Sequence, residues 1–346
     1  MKFGIAYNID YHEDIHGSTS EYLNHIIEES VRLEELGYDT VWFAEHHSSG
    51  YSFGNPAVIA GAVAARTSRI RIGIGVSLLP LHHPIKLAEE YGLVDAISNG
   101  RLDFGIGRGY MKKEYDWMGI PFEESHSRYH EAADFITQAW TSNGEPMDFH
   151  GKHFNVEGYK YFPKPCQKPH PAIYASAGGT PESFRWAAEK GFNLGTPLFV
   201  PDQDLVASNI RAYRAMLAEN GFDPASREVC AITQMYCAED SEQAVRDGSL
   251  FATNYYRFFS NLSGADNFFQ TATGEEMNAD GRAFFGSPDN LIPRLKKLEA
   301  RMGIDLLLVE VAQGKATPEK VQSAVTLFAK EVMPEFREHA IASRAA

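Results

Sequence analysis

The chain has 346 residues, of which 44% are hydrophobic and 23% charged, and this is enough apolar material for a sizeable core. Its formal net charge of −14 argues against nucleic acid or an anionic membrane as a partner, so any anion that it binds must be held by a local basic pocket. We expect a cytoplasmic protein, because no apolar run approaches the roughly 20 residues of a membrane helix, the amino terminus lacks a signal-peptide pattern, and the three cysteines have no disulfide or zinc spacing.

Short apolar, β-branched runs alternate with segments of helical period along the chain. The predicted strands are Lys2–Tyr7, Thr40–Phe43, Ile70–Leu79, Leu102–Ile106, Ala172–Ala175, Leu194–Phe199, Val229–Cys237 and Leu306–Val311. The segments between them have recognisable helix starts: a capping box at Ser18 and Glu21, Asn55-Pro56, and Thr180-Pro181. Strands that alternate with helices pair in parallel, with the helices outside the sheet. Eight such units predict one domain of the α/β class, a (β/α)₈ TIM barrel over residues 1–346.

Because this chain exceeds the roughly 250 residues typical of such a barrel, the surplus must lie in insertions. We place one near residues 146–171, where Phe149–Phe154 and a proline-rich exit predict a hairpin. We place the second near residues 255–288, which are rich in paired aromatic residues. A loop of that length is uncommon unless it is functional or disordered, and the aromatic content argues against disorder. This segment is either a lid over an apolar substrate or an excursion that packs on the barrel.

The segment Val41–His47, which reads Val-Trp-Phe-Ala-Glu-His-His, is the most informative part of the chain. Its apolar run stops at one carboxylate and two imidazoles. The carboxyl ends of the strands carry the chemistry of a (β/α)₈ barrel. We therefore interpret Glu45, His46 and His47 as functional groups, in preference to hydrogen-bonded caps of a buried strand.

Two further clusters indicate a phosphate site. Gly105, Gly107 and Gly109 surround Arg108 directly after the fourth predicted strand, where the backbone is open to close approach and a guanidinium can hold a phosphate. The small-residue loop before Pro181 leads into a helix amino terminus, which is a natural anion site. Together with an arginine near another helix start, Arg128, these features suggest a pocket for one phosphate monoester. A mononucleotide cofactor such as FMN would fit it.

The chain resembles the bacterial luciferase superfamily of flavin-dependent oxidoreductases, and it is more similar to the luciferase alpha subunit than to the deazaflavin-dependent branch. The order and spacing of short motifs along nearly the whole chain carry this resemblance. The motifs are Met1–Gly4, Gly37–Trp42, Glu45–His47, Gly54–Pro56, Leu79-Pro80, His83-Pro84, Ser98–Arg101, Gly105–Gly109 and Val332–Pro334.

The resemblance implies roles for individual residues. His46 matches the luciferase histidine that supports flavin oxygen chemistry through proton transfer. Gly75 and Val76 fall where the family makes a non-proline cis peptide bond beneath the flavin ring. The remaining residues expected to bind the cofactor are Glu45, Arg108, Arg128, Ala177, Gly178, Gly179 and Thr180, and all but Glu45 are assigned to the phosphate.

The chain also departs from luciferase. The reactive cysteine that precedes the phosphate arginine is Gly107 here, and the acidic and hydroxyl pair of the phosphate loop is Ala177-Gly178. The region around Leu194–Phe199, which matches the aldehyde pocket, differs in detail. Light emission and a long-chain aldehyde substrate are therefore not implied.

The resulting prediction is a two-component monooxygenase, with no metal, that acts as a homodimer or higher oligomer. A separate flavin reductase would supply reduced FMN, and O₂ would provide one oxygen atom for a small, apolar organic substrate.

Three alternatives stay open at this point. A deazaflavin-dependent dehydrogenase of the same superfamily would transfer hydride, and the absorbance of its cofactor would distinguish it. A non-catalytic flavin-binding protein would share the pocket. A metal-dependent hydrolase would use Glu45, His46, His47, His82 and His83, but the chain has no His-x-His and no pattern for a third ligand.

Overall fold

The computed structural model describes residues 1–47, 50–263 and 271–337. The strands are β1 (Lys2–Tyr7), β2 (Thr40–Phe43), β3 (Arg71–Leu78), β4 (Leu102–Gly107), β5 (Pro146–His150), β6 (Asn155–Lys160), β7 (Ala172–Ser176), β8 (Asn193–Pro197), β9 (Val229–Cys237), β10 (Ala283–Gly286) and β11 (Leu306–Glu310). Eight of the strands pair in parallel, in the order β1-β2-β3-β4-β7-β8-β9-β11. Strand β11 also pairs with β1, and this pairing closes the ring. The predicted (β/α)₈ barrel is confirmed, and each predicted strand matches one strand of the ring with ends that differ by no more than two residues.

Helices surround the ring. They are α1 (Glu13–His16), α2 (Thr19–Leu36), α3 (Pro56–Arg66), α4 (Pro84–Ile97), α5 (Lys112–Met118), α6 (Ser125–Thr141), α7 (Pro181–Glu189), α8 (Gln203–Glu219), α9 (Ser241–Ser263), α10 (Gly274–Asp280), α11 (Pro288–Met302) and α12 (Pro318–Leu327). The capping box of Ser18 and Glu21 is present, and the Asn55 side chain caps α3. Among the described residues, no helix has the length and apolar character needed to span a membrane.

The barrel has two apolar layers, because successive strand residues point to opposite faces. Val41 and Phe43 belong to the layer between the strands and the helices, whereas Trp42 and Leu308 belong to a separate cluster inside the ring. Gly73 of β3 has no room for a side chain, because its Cβ would lie 2.1 Å from the Trp42 ring. The interior is therefore packed, and a ligand must approach from the ends of the strands.

Two segments extend the basic barrel. Within residues 146–171, β5 pairs antiparallel with β6 and forms a hairpin. Within residues 255–288, the first part continues helix α9, residues 264–270 lie outside the described residues, and α10 and β10 follow. Strand β10 pairs with the second half of β9, and Tyr255, Tyr256 and Phe259 are buried. The described part of this segment is thus regular structure packed on one end of the barrel.

Candidate active site

The three polar residues after β2 lie on two sides of the chain. His46 lies on the side of Trp42, and its ring stacks on that of Tyr51 with a centroid separation of 4.6 Å. The Tyr110 ring, which follows β4, lies 5.9 Å away. The Glu45 carboxylate points elsewhere, toward His47 and the loop after β3. Of the three residues, only His46 therefore faces the mouth of the barrel, which we define as the space at the carboxyl ends of its strands.

Glu114 of α5 fixes the orientation of His46. Its Oε1 accepts a hydrogen bond from the His47 backbone N–H at 2.8 Å and lies 3.2 Å from His46 Nδ1. The Glu114 side chain is fully buried, and its Oε2 has no partner within the described parts of the chain. Because the carboxylate is an acceptor here, Nδ1 of His46 is the donor. The other ring nitrogen, Nε2, is left to accept a proton or to donate one.

Glu310 is a second ionisable group at the mouth. It ends β11 on the inward face, two residues after Leu308. Burial raises the pKa of its carboxyl to about 8, against the lowering effect of hydrogen bonding with Asn8 and Gln313. Asn8 in turn donates to the Tyr255 hydroxyl at 2.8 Å. The Tyr255 hydroxyl lies 3.0 Å from that of Tyr51, so the surroundings of Glu310 connect to the ring on which His46 stacks.

Sequence reasoning missed Glu114 and Glu310. Glu310 follows an apolar run, Leu306–Val309, at the carboxyl end of a predicted strand, and this is the signal that singled out Glu45–His47. Glu114 had no such signal, because its importance depends on α5 folding back against β2.

The glycines near the ends of β3 and β4 leave room that neighbouring side chains occupy. The cis peptide bond that the resemblance implied at Gly75-Val76 is present. The pairing of β3 with β4 shifts register between Ile74 and Ser77, so these two residues lie in an irregular stretch of the strand. A Cβ at Gly107 would lie 2.4 Å from Val76 Cγ2. The luciferase cysteine therefore could not replace Gly107 unless Val76 moved.

The two arginines assigned to the phosphate lie near the start of α6. Arg108 donates from Nη1 to the Ser125 hydroxyl at 3.1 Å, and Arg128 donates from Nε to Glu124 at 2.8 Å. Their remaining N–H groups make no hydrogen bond within the described ranges. A 3₁₀ turn, Phe122–Glu124, leads directly into α6, and the Ser125 backbone N–H donates to the Phe122 carbonyl, so the two guanidinium groups are the donors offered here. These donors form a basic patch in a chain that is acidic overall.

The small-residue loop lies at the end of the neighbouring strand, because β4 pairs with β7 in the register Ile106 to Ala175. The Ala177 N–H already donates to the Gly195 carbonyl at 2.8 Å. Gly179 is open, since a Cβ there would meet no atom within 4 Å. Thr180 precedes α7 without capping it. Gly178, Gly179 and the start of α7 are therefore the parts of this loop that can receive an anion.

Glu45 lies in a separate cluster. Its Oε1 accepts from His47 Nε2 at 3.0 Å and from His82 Nε2 at 2.5 Å, and its Oε2 accepts from the Ser77 hydroxyl and the Leu78 N–H, both at 3.1 Å. Burial opposes ionisation, but the hydrogen bonds from both histidines hold the pKa of Glu45 at about 2. Both carboxylate oxygens are thus engaged by the protein itself, although Glu45 was expected to bind the cofactor.

The family described as luciferase-like monooxygenase matches residues 1–309. The chain belongs to this family. The oxygenase component of the flavin-dependent trigonelline monooxygenase of Acinetobacter baylyi is 27% identical over 366 aligned residues, which cover 99% of this chain and 98% of the relative. An uncharacterized protein of Sinorhizobium fredii, y4vJ, is 32% identical, but the match covers 52% of this chain and only half of that protein. The resemblance and the enzyme class predicted from the sequence are confirmed at the level of the family.

Solved structures of luciferase-like monooxygenases share the fold. The monooxygenase RslO1 from Streptomyces bottropensis superimposes with a TM-score of 0.90 at 25% identity, covering 97% of this chain and all of that one. The oxygenating constituent of 3,6-diketocamphane monooxygenase from Pseudomonas putida, in complex with FMN, has a TM-score of 0.79 at 23% identity, with coverage of 96% and 98%. A coenzyme F420 dependent reductase from Methanopyrus kandleri also matches, with a TM-score of 0.74 at 19% identity and coverage of 97% and 99%. At identities below 25% these likenesses show the fold alone.

Proposed function

We propose that this protein is the oxygenase component of a two-component, FMN-dependent monooxygenase. It would take reduced FMN from a separate reductase and use O₂ to oxygenate a small, largely apolar organic molecule. The observation that carries this proposal is the arrangement at the mouth: the His46 ring, oriented by Glu114, lies after the end of β2, and Arg108 and Arg128 offer free N–H groups at the end of β4 and the start of α6. The trigonelline enzyme, similar over almost its whole length, is named as an oxygenase component.

The donor set fits FMN. One phosphate monoester needs several N–H donors close to one another, and the two guanidinium groups near the start of α6, together with the start of α7, are the candidates. A planar ring needs a flat surface, and the resemblance places it over the Gly75-Val76 peptide near the end of β3, which is cis as that resemblance implied.

When bound, reduced FMN would supply the two electrons that activate O₂. One oxygen atom would enter the substrate and the other would leave as water, which requires proton delivery at the mouth. His46 would hold that proton at Nε2, because Glu114 keeps Nδ1 as a donor. Glu310 would retain its own proton up to about pH 8, since burial raises its pKa to about 8. Glu310 would act only at a distance, because Asn8, Tyr255 and Tyr51 lie between it and the His46 ring.

Aromatic side chains would exclude water from the reaction. Phe259 of α9 lies with its ring 5.9 Å from that of Tyr51 and 6.0 Å from that of Tyr110. Tyr255, one helical turn earlier, is also buried. This aromatic cover would favour an apolar substrate, and it would limit the loss of activated oxygen as peroxide. The lid expected over residues 255–288 is proposed here only for the described helix α9, and residues 264–270 lie outside the described residues.

Equilibrium binding under anaerobic conditions tests the proposal. We expect reduced FMN to bind more tightly than reduced riboflavin, which lacks the phosphate, and more tightly than a reduced deazaflavin. Arg108→Ala should remove the preference for FMN over riboflavin. Arg66→Ala, which removes an exposed arginine paired with Glu28 on the surface, should leave that preference unchanged.

A preference for the reduced deazaflavin would contradict the proposal and favour the dehydrogenase alternative. Equal affinity for FMN and riboflavin in the unsubstituted protein would show that the basic patch does not bind the phosphate.

A further inference from the structure

We propose that Glu45, His47 and His82 form a binding site for one divalent transition-metal ion of the zinc type. The ligands lie on the side of β2 that faces away from His46, and none of them is assigned to the flavin phosphate. The ligand atoms would be Glu45 Oε1, His47 Nε2 and His82 Nε2, which lie within 4.8 Å of one another. We name these three residues the Glu45 cluster.

The donors suit such an ion. Two imidazole nitrogens and one carboxylate oxygen form a ligand set that proteins use for zinc and for related metals. Both Nε2 atoms already point at the same carboxylate oxygen, from 3.0 and 2.5 Å. An ion at about 2.0–2.2 Å from each ligand atom would replace the hydrogens between them. Tetrahedral ligands at that distance lie roughly 3.4 Å from one another, so both imidazole nitrogens would move away from Glu45 Oε1, by less than about 1 Å each.

The surroundings of the carboxylate are those of a metal ligand. The second oxygen of Glu45 is held by the Ser77 hydroxyl and the Leu78 N–H, which fix its orientation and leave Oε1 facing the histidines. The Glu45 side chain is 1% exposed, whereas those of His47 and His82 are 16% and 22% exposed. The cluster is therefore closed on the protein side and open on the solvent side, where an ion could enter and a water molecule could complete the coordination.

The fold explains why the ligand spacing was not visible in the sequence. Glu45 and His47 are two residues apart on an extended chain, so their side chains share a side. His82 follows the 3₁₀ turn Leu79–Leu81 after β3, and β3 pairs with β2. A bound ion would thus join the ends of the two adjacent strands β2 and β3.

Metal titration of the protein without flavin tests this proposal independently of the proposed function. The protein, free of any histidine tag and stripped with a chelator, is titrated with Co²⁺ while the visible absorption bands of the bound ion are recorded, and Zn²⁺ then competes. We expect one ion per chain. His82→Asn and, separately, His47→Asn should weaken binding at least about 100-fold, since each removes a ligand.

His83→Asn is the matched control. His83 neighbours His82 but belongs to a different interaction, because its Nδ1 accepts the Ile85 N–H at the start of α4, and asparagine can also cap a helix. The His83→Asn protein should bind Co²⁺ with the affinity of the unsubstituted protein, and Zn²⁺ should stabilise it against heat by the same amount. The His82→Asn protein should show no such stabilisation. Absence of saturable Co²⁺ binding, or binding that survives both ligand substitutions, would overturn the proposal.

Discussion

Replacing Glu310 with glutamine should change how the stability of the protein depends on pH. The Glu310 side chain is buried at the end of β11, and its pKa is raised from 4.5 to about 8, mainly by burial. Glutamine has nearly the same shape but carries no ionisable proton. The substitution therefore removes the titration while it keeps most of the packing.

The sign and size of the effect follow from the two pKa values. In the unfolded chain Glu310 releases its proton near its ordinary pKa of 4.5, whereas in the folded protein it keeps the proton up to about pH 8. The proton on Glu310 thus stabilises the folded state to its full extent below pH 4.5, and this stabilisation is lost as the pH rises through about 8. At about 1.4 kcal/mol per pH unit, the loss between pH 5 and pH 8 is roughly 4 kcal/mol at most.

Denaturant unfolding of the unsubstituted protein and of Glu310→Gln, at several pH values between about 5 and 8, measures this loss of unfolding free energy. As the pH rises, the unfolding free energy of the unsubstituted protein should fall steadily relative to that of Glu310→Gln. Glu145→Gln, at an exposed position, is the control and should show a constant difference from the unsubstituted protein. A constant difference for Glu310→Gln as well would show that Glu310 titrates normally and would refute the reasoning.

Four further substitutions test the proposed site. Arg108→Ala should weaken the binding of reduced FMN by ~1.5–3 kcal/mol in an equilibrium titration, the usual value for a hydrogen bond to a charged group, and unchanged affinity would remove Arg108 from the phosphate site. His46→Ala should keep reduced FMN affinity within about tenfold but lower product formation by ~10²–10⁴, and full turnover at saturating flavin would assign the proton to another group. Glu114→Gln should lower product formation about tenfold in the native protein yet have no added effect in His46→Ala, because Glu114 acts through His46; an equal loss in both backgrounds would contradict this role. Gly107→Ala should lower the unfolding free energy by ~1–3 kcal/mol because its methyl group would lie 2.4 Å from Val76, whereas Gly179→Ala, with no atom within 4 Å, should have little effect. Equal stability of the two alanine variants would show that Val76 adapts at no cost.

The sequence predicted those features that a local pattern of apolar and polar residues specifies. Alternating apolar runs located the strands of the barrel, and the break in polarity after the apolar run of β2 singled out His46 as a candidate. The spacing of Tyr255 and Phe259, four residues apart, is a helical signal that our interpretation as a long insertion did not use, and both lie in α9.

Other features depend on contacts between distant parts of the chain. The role of Glu114 depends on α5 folding back against the end of β2, and His82 joins Glu45 only because β3 lies beside β2. The opposite directions of Glu45 and His46 follow from the extended backbone after β2. The sequence showed three ionisable residues in a row, but only the structure separates them into two groups.

Rapid mixing with O₂ tests the central claim most directly. The protein is first saturated anaerobically with reduced FMN and then mixed with oxygenated buffer, while oxygen consumption and the visible absorbance of oxidised FMN are followed together. In an oxygenase that shields its flavin, oxygen should be consumed first and oxidised FMN should appear after a delay, and this delay should shorten in His46→Ala. Oxidised FMN that appears in step with oxygen consumption, at the rate of free reduced FMN, would contradict the account.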